Sequence, residues 1–503
     1  MTKKGNSDTI IKMKEKFDKI VNSKFGRTAD NLCNSVWYIV AFGVVCVLSH
    51  TFDIPVVGVL LLTVLLVPAL LFCKNSFVLV PFLTMCTFIM SEETKPQSGY
   101  YGKPLYIVVL CIALVLLLFA FVFNIVYYKK WKYIFKRGYL TISLAVVTGF
   151  LVIGGLGAPS MSWTGVGMAL AISVTMFLPY TLLINCGEYN GRKTVEYFAW
   201  TMIAAAVVIF FAVVKQYAIF HISLKNPDKS LIVFGYAISN TAAAFVVIAL
   251  PITFYMVYIY KRGYLFLIAV ALELITVALT FSRTSLLVAL PGSIIVAVWL
   301  CFKKKTGRMG YYIAFGIAVA AVLAVAIVFR QQIFELIKKL FSGNTTLSGR
   351  TNIWKSGFNA WKSYPVFGLG IWYLPPINNW YYSFHCTPLT YLYCTGFLGL
   401  LAYLYHRYRT VRLTFSAKLT PERVFVALCI LAMLCNAMLD IAMTMPPHLL
   451  YYGIMLALIE CDVKATKRIM PQKEAPTSAS DNTAEDPDNT AEEQAQPEKG
   501  EVQ

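Results

Sequence analysis

The chain has 503 residues, of which 58% are hydrophobic and 14% charged, with a formal net charge of +19. Soluble domains carry roughly 25% charged residues, so a soluble enzyme is excluded, and nothing alternates at the period of two that a membrane β-barrel needs. The basic excess reads as the cytoplasmic loops of a helical membrane protein and not as a nucleic-acid surface.

Residues 1–35 are polar and Lys-rich, with no small-residue cleavage site, so the first apolar segment is expected to stay in the mature protein. Fourteen apolar segments follow: 36–52, 54–73, 76–90, 105–127, 139–157, 163–186, 197–220, 231–260, 264–281, 286–302, 310–329, 388–405, 424–441 and 447–461. A span needs about 20 apolar residues. The third and last are short, and the second and third could form a re-entrant pair. The expected fold is an all-α polytopic membrane protein of about fourteen transmembrane helices (twelve to fourteen).

With the N-terminus cytoplasmic, 32 of the 44 Lys and Arg residues fall in cytoplasmic segments, and six of the other twelve lie in one loop. The alternation predicts an N-in, C-in orientation. The expected divisions are a basic cytoplasmic segment (1–35), helices 1–11 (36–329), a large extracytoplasmic loop (330–387), helices 12–14 (388–461) and a cytoplasmic tail (462–503). From Pro471 the tail is acidic, poor in apolar side chains and expected to be disordered. The twelve cysteines are scattered mainly inside spans, with no C-x-x-C metal spacing.

The large loop opens with RQQIFELIKKLF, where Ile333, Leu336, Ile337 and Leu340 recur at helical spacing opposite Lys338 and Lys339. This predicts an amphipathic helix lying in the interface. A second helix fits TNIWKSGFNAWKS, with Trp354, Phe358 and Trp361 on one face. These aromatics suit anchoring or packing as well as ligand contact. Arg350 precedes that helix, Pro365 ends it, and Gly368 and Gly370 permit tight turns.

Arg283 lies in the tight turn between the ninth and tenth segments, on the same outer side. An arginine at this depth faces protein or water and is a functional candidate. Lys215 lies near the outer end of the seventh segment, where snorkelling is an equally good reading. Thr387 followed by Pro388 reads as an N-cap and first helical residue. His385 then sits two residues before the cap, where the helix dipole favours a neutral imidazole able to accept a hydroxyl proton. An interfacial histidine without that role is the plainer alternative.

Two intramembrane acids remain: Asp440, placed to orient His385 or an arginine, and Glu273, which needs a partner or a proton. The external carboxylates Glu92, Glu93, Asp228 and Glu335 are dispersed and offer no metal site. Guanidinium groups pair with diphosphate oxygens in bidentate fashion. A lipid-linked sugar diphosphate is therefore a fitting substrate, with the diphosphate as leaving group stabilised by arginines. His385 would act as base, and direct displacement would invert the anomeric centre.

At these residues the chain resembles the O-antigen ligase and O-antigen polymerase family of bacterial membrane glycosyltransferases. SRTSLL, with Arg283, is similar to the family's Ser-Arg turn. GRTNIWKSGFNAWKSYPVFGLG is similar to its Gly-Arg-x3-Trp … Pro-x-x-Gly-x-Gly stretch, with Arg350, Trp354, Pro365, Gly368 and Gly370. HCTPLTYLYCTGFLG is similar to its His-[Asn/Ser/Gln]-x9-Gly-x-x-Gly pattern, with His385, Gly396 and Gly399 and a departure at Cys386. The similar region spans about residues 270–405. SNTAAAFVVIALP resembles the family's Asn-containing span but lacks the arginine ahead of it, with Lys225 or Lys229 as the candidate substitutes.

The resemblance implies a GT-C-like membrane glycosyltransferase fold. It implies an undecaprenyl-diphosphate-linked glycan donor and no metal or other cofactor. The acceptor would be a lipid-linked repeat unit (polymerase) or lipid A-core (ligase). The site would face outward from the bacterial cytoplasmic membrane, beside other polysaccharide-assembly proteins. The competing readings are a flippase for lipid-linked sugars, which would show two related halves, and a non-catalytic scaffold, which would not need His385.

Overall fold

The computed structural model describes residues 15, 17–88, 104–222, 228, 231–234, 237–328, 330, 347–371, 373–374, 376–377, 380–381, 383–440 and 445–469. The expected amphipathic helix at 331–340, Glu92, Glu93, Glu335, Lys225, Lys229 and the acidic tail lie outside the described residues.

The described residues form sixteen α-helices: α1 (Lys24–Cys33), α2 (Val36–Thr51), α3 (Pro55–Phe72), α4 (Val80–Met85), α5 (Pro104–Tyr127), α6 (Thr141–Ile153), α7 (Trp163–Cys186), α8 (Arg192–Phe220), α9 (Ser239–Ile259), α10 (Leu267–Leu279), α11 (Arg283–Lys303), α12 (Arg308–Val328), α13 (Leu347–Trp361), α14 (Thr387–Thr414), α15 (Pro421–Ala437) and α16 (Pro446–Ile469). Two antiparallel ladders of two residues per strand complete it, β1 (Val233–Phe234) with β2 (Ala237–Ile238) and β3 (Pro376–Ile377) with β4 (Trp380–Tyr381). Every one of the fourteen apolar segments contains helix. Among the described residues, six helices (α3, α5, α7, α8, α9 and α11) are long and apolar enough to cross a membrane, or seven if the bent pair α1–α2 is one span. The chain is a multi-pass helical membrane protein.

The helices differ sharply in burial. α9 is the hub: 89% of its apolar window is buried, and it packs on α15, α8, α10 and α11. Such a helix, apolar all round, belongs in the middle of a bundle. α5 is the opposite case, only 17% buried, with Val115, Phe119, Val122 and Val126 each more than half exposed. Water would not tolerate that apolar surface; a bilayer solvates it. The C-terminal helix α16 lies along α7, and α14 along α6.

Several helix ends differ from expectation. α6 stops at Ile153, because Gly155 (φ 83°) and Gly157 (φ 85°) turn the chain back. α9 starts at Ser239, because the β1–β2 ladder occupies the residues before it. α13 starts at Leu347, so Arg350 lies inside the helix and not ahead of it.

Candidate functional site

α14 is broken at Gly396 (φ 74°, ψ −173°). Breaking a helix there frees the carbonyls of Tyr393 and Cys394 and the N–H groups of Phe397 and Leu398. The Pro365–Gly370 loop pairs all four. Leu369 N–H donates to Tyr393 O (2.8 Å) and Gly370 N–H to Cys394 O (2.9 Å). Phe397 N–H donates to Pro365 O (2.8 Å), and Leu398 N–H points to Val366 O at a long 3.5 Å. In a membrane each such group left open costs several kcal/mol.

The glycines follow from this seam. A Cβ on Gly396 would sit 2.0 Å from Val366 O, and one on Gly368 (φ 71°) would sit 2.6 Å from the Cys394 backbone. Gly370 (φ 99°) lies against Gly155, whose own Cβ would sit 2.7 Å from it. Gly155 N–H donates to Phe367 O (2.7 Å), carrying the seam on to the end of α6. Gly399 leaves room for the Thr395 hydroxyl, which a Cβ would meet at 1.9 Å.

The seam sets the entry to α14. Trp354 on α13 donates from Nε1 to Phe384 O (2.7 Å), and the Tyr393 hydroxyl donates to Trp354 O (3.2 Å). Phe384 and Tyr393 pack edge to face above Gly357, where a Cβ would meet Phe384 at 2.3 Å. Trp354 is therefore a clamp of α13 onto α14, whereas Phe358 stacks on Trp361 and stays exposed.

His385 is held in the left-handed region (φ 48°), a strained backbone for a bulky residue. Its Nδ1 lies 3.5 Å from Asp440 Oδ1, and its Nε2 lies 3.2 Å from the Ser383 hydroxyl. The imidazole is 25% exposed and Asp440 only 6%. At 3.5 Å the contact is longer than a closed hydrogen bond. It favours the proton on Nδ1, leaving Nε2 as the basic nitrogen.

The expected cap needs correction. Cys386 is the N-cap and makes no side-chain cap bond, Thr387 is already helical, and His385 stands one residue before the cap. Thr387 is turned instead to tertiary use, its hydroxyl donating to Asp440 O (3.4 Å).

Arg350 is half-buried in the first turn of α13, and its charge acts on the Cys386 thiol, which burial pushes up. Arg283 is half-buried and opens α11, after Phe281 in the left-handed region (φ 51°). Its turn is tied to α15: Asn436 Nδ2 donates to Ser285 Oγ (2.8 Å), and Ser282 Oγ to Ser285 Oγ (3.0 Å). Asn436 is four residues before Asp440, so the Arg283 turn and the His385–Asp440 pair share one end of α15. Lys215 instead donates to the carbonyl of His50 at the end of α2. Two residues on, the Tyr217 hydroxyl donates to Leu279 O (2.7 Å) beside the Arg283 turn. Glu273 takes the Thr253 hydroxyl on its Oε1 (2.7 Å), a neutral partner.

One residue of this neighbourhood is absent from the sequence reading. His448, in the first turn of α16, is fully buried and stacks flat on Phe245 (centroids 4.0 Å, 6°). The charge of Asp440 acts on it, so Asp440 lies between two imidazoles. Both its ring nitrogens make no hydrogen bond among the described residues. The only sequence signal is a histidine behind a Pro-Pro helix start, eight residues after an intramembrane acid.

The broken helix, the glycine seam and the charged end of α15 define a multi-pass membrane protein with a polar site at one end of its bundle. Residues 268–404 match the family model described as O-antigen ligase. The match contains Arg283, Arg350, His385, Gly368, Gly370, Gly396 and Gly399; Gly155, Lys215, Asp440 and His448 lie outside it. No curated protein matches the chain.

Proposed function

We propose that this protein is an inverting membrane glycosyltransferase that moves an oligosaccharide from undecaprenyl diphosphate to a hydroxyl acceptor, as an O-antigen polymerase or ligase. The observation that carries the reading is the pairing of His385 with Asp440 beside Arg350 and the Arg283 turn, with His385, Arg350 and Arg283 inside the matched region. In this reading the fourteen helical segments adopt an N-in, C-in, GT-C-like arrangement in the bacterial cytoplasmic membrane. The 330–387 loop and the helix ends around His385 then face outward, where a lipid-linked donor, its acceptor and other assembly proteins meet.

The chemistry follows from the side chains. Asp440 holds the proton on His385 Nδ1, and Nε2 takes the proton of the acceptor hydroxyl. The acceptor oxygen bonds to the anomeric carbon from the face opposite the diphosphate. The glycosidic C–O bond to the diphosphate breaks and its electron pair leaves on the phosphate oxygen. Arg283 and Arg350 stabilise that growing charge, and Lys215 serves the outer edge of the diphosphate site. No metal or other cofactor takes part in this scheme.

The test is product analysis with purified protein in vesicles, a labelled undecaprenyl-diphosphate oligosaccharide and either a second lipid-linked unit or lipid A-core. New glycosidic bonds of inverted configuration are expected, and the acceptor consumed separates polymerase from ligase. Movement of labelled lipid across the bilayer without a new bond would replace this reading with the flippase.

A further inference from the structure

A cleft of about 460 Å³ opens at the end of the molecule remote from His385. It lies between α1, the C-terminal end of α3, the start of α8 and the α7–α8 connection. The Ser160 hydroxyl, just before α7, donates to Leu369 O in the glycine seam (2.6 Å), whereas Glu188, just after α7, lines the cleft. The 24 residues of α7 separate the two by roughly 36 Å.

The walls are rich in amides: Asn22, Asn31, Asn34, Asn75 and Asn190 all line the cleft. Asn75 spends its oxygen on the N–H groups of Phe77 and Glu188, which leaves its two donors. The side-chain amides of Asn31 and Asn190 make no hydrogen bond among the described residues. Three cations, Arg27, Lys74 and Lys193, face two carboxylates, Asp30 and Glu188. Lys74 is matched by Glu188 at 2.8 Å, leaving Arg27 and Lys193 against Asp30.

A second observation points the same way. Lys130 is only 5% exposed and lies directly behind this wall. Its Nζ donates to Ser76 Oγ (3.0 Å) and Asn124 Oδ1 (2.7 Å), both neutral, and lies 5.6 Å from the ring centroid of the cleft residue Tyr128. It makes no ion pair among the described residues, and burial lowers its pKa to about 8. A buried cation whose hydrogen-bond partners are all neutral is costly, and it adds positive charge behind the cleft, where the charge of Glu188 also acts on it.

The helix at the mouth carries exposed apolar side chains. α1 is bent 67° from α2 and leaves Phe25 and Leu32 exposed, while Phe25 packs edge to face on Phe72 in the cleft wall. An amphipathic helix lying across the end of a span sits at the headgroup layer.

We propose that this cleft binds a phosphate-bearing polyol headgroup, with Arg27 and Lys193 on the phosphate, Lys130 supplying positive potential from behind and the Asn31, Asn75 and Asn190 amides on the hydroxyls. In the orientation proposed above it belongs to the cytoplasmic leaflet; the inference does not depend on the reaction at His385. The same chemistry could come from a glycerol-headed phospholipid or from a soluble polyol phosphate.

The test uses the full-length protein in nanodiscs of phosphatidylcholine with or without phosphatidylglycerol. Native mass spectrometry reads the lipid retained, and thermal unfolding is followed with sn-glycerol 1-phosphate or inorganic phosphate. Wild type should retain phosphatidylglycerol preferentially, or be stabilised by the soluble phosphates, the first result assigning a lipid source and the second a soluble one. The Arg27→Gln/Lys193→Gln variant should lose at least about tenfold in that preference, while Arg412→Gln, an exposed cation outside the cleft, should not. Equal retention of both lipids with no phosphate response in wild type would overturn the proposal, as would an unchanged response in the double variant.

Discussion

The two ends of α15 treat charge in opposite ways. At one end Arg423, 1% exposed, is fully matched: Nε and Nη2 reach Asp462 at 2.8 Å, Nη1 reaches the carbonyls of Thr414 and Ala417, and Nη2 reaches Thr466. At the other end Asp440 meets His385 across 3.5 Å and the imidazole is partly exposed, while buried His448 has no side-chain hydrogen-bond partner among the described residues. A closed network fixes helices; it has no valence left for a ligand. An open one, held on a strained backbone by a seam of glycines, is poised to complete its bonds with something else.

That contrast can be broken at either end. Arg423→Ala should cost about 3–5 kcal/mol of stability, because it strands Asp462 in the interior; thermal unfolding in detergent would show it, with activity per folded molecule unchanged. A similar loss in Asp440→Asn would show that both ends are structural. Gly396→Ala should cost about 2–3 kcal/mol, since the residue is held at positive φ with a carbonyl where the Cβ must go. It should also loosen the α14 entry, read as faster proteolysis between residues 365 and 395.

Asp440→Asn should lower turnover by about 10- to 100-fold with little change in unfolding temperature, as a charge-assisted contact to His385 is lost. Lys215→Gln should have the smallest effect, a rise in KM of less than about fivefold with kcat unchanged. Its bond goes to the His50 carbonyl and not to the His385 group.

Much of the fold was legible because spans are written in long apolar runs, and all fourteen segments contain helix. Helix ends were less legible where tertiary contacts set them. Thr387 looks like a cap, yet its hydroxyl serves Asp440; Arg350 looks like a loop residue, yet α13 begins before it. The motif glycines were recognisable as turn formers. Their joint purpose, re-pairing the four backbone groups of a broken helix, appears only once residues 365–370 and 393–398 are side by side. The closeness of Asp440 to His385, 55 positions apart, was one of two options in the sequence. His448 could not be reached at all, since its place depends on the packing of α16 against α9.

The central claim is that His385 is the base for transfer. The most direct measurement is single-turnover formation of the glycosidic bond by His385→Ala and wild type at matched folded concentration. The account predicts a fall of about 10²–10⁴-fold with an unfolding temperature within about 2 °C of wild type. A folded His385→Ala protein that forms the bond at the wild-type rate would contradict it.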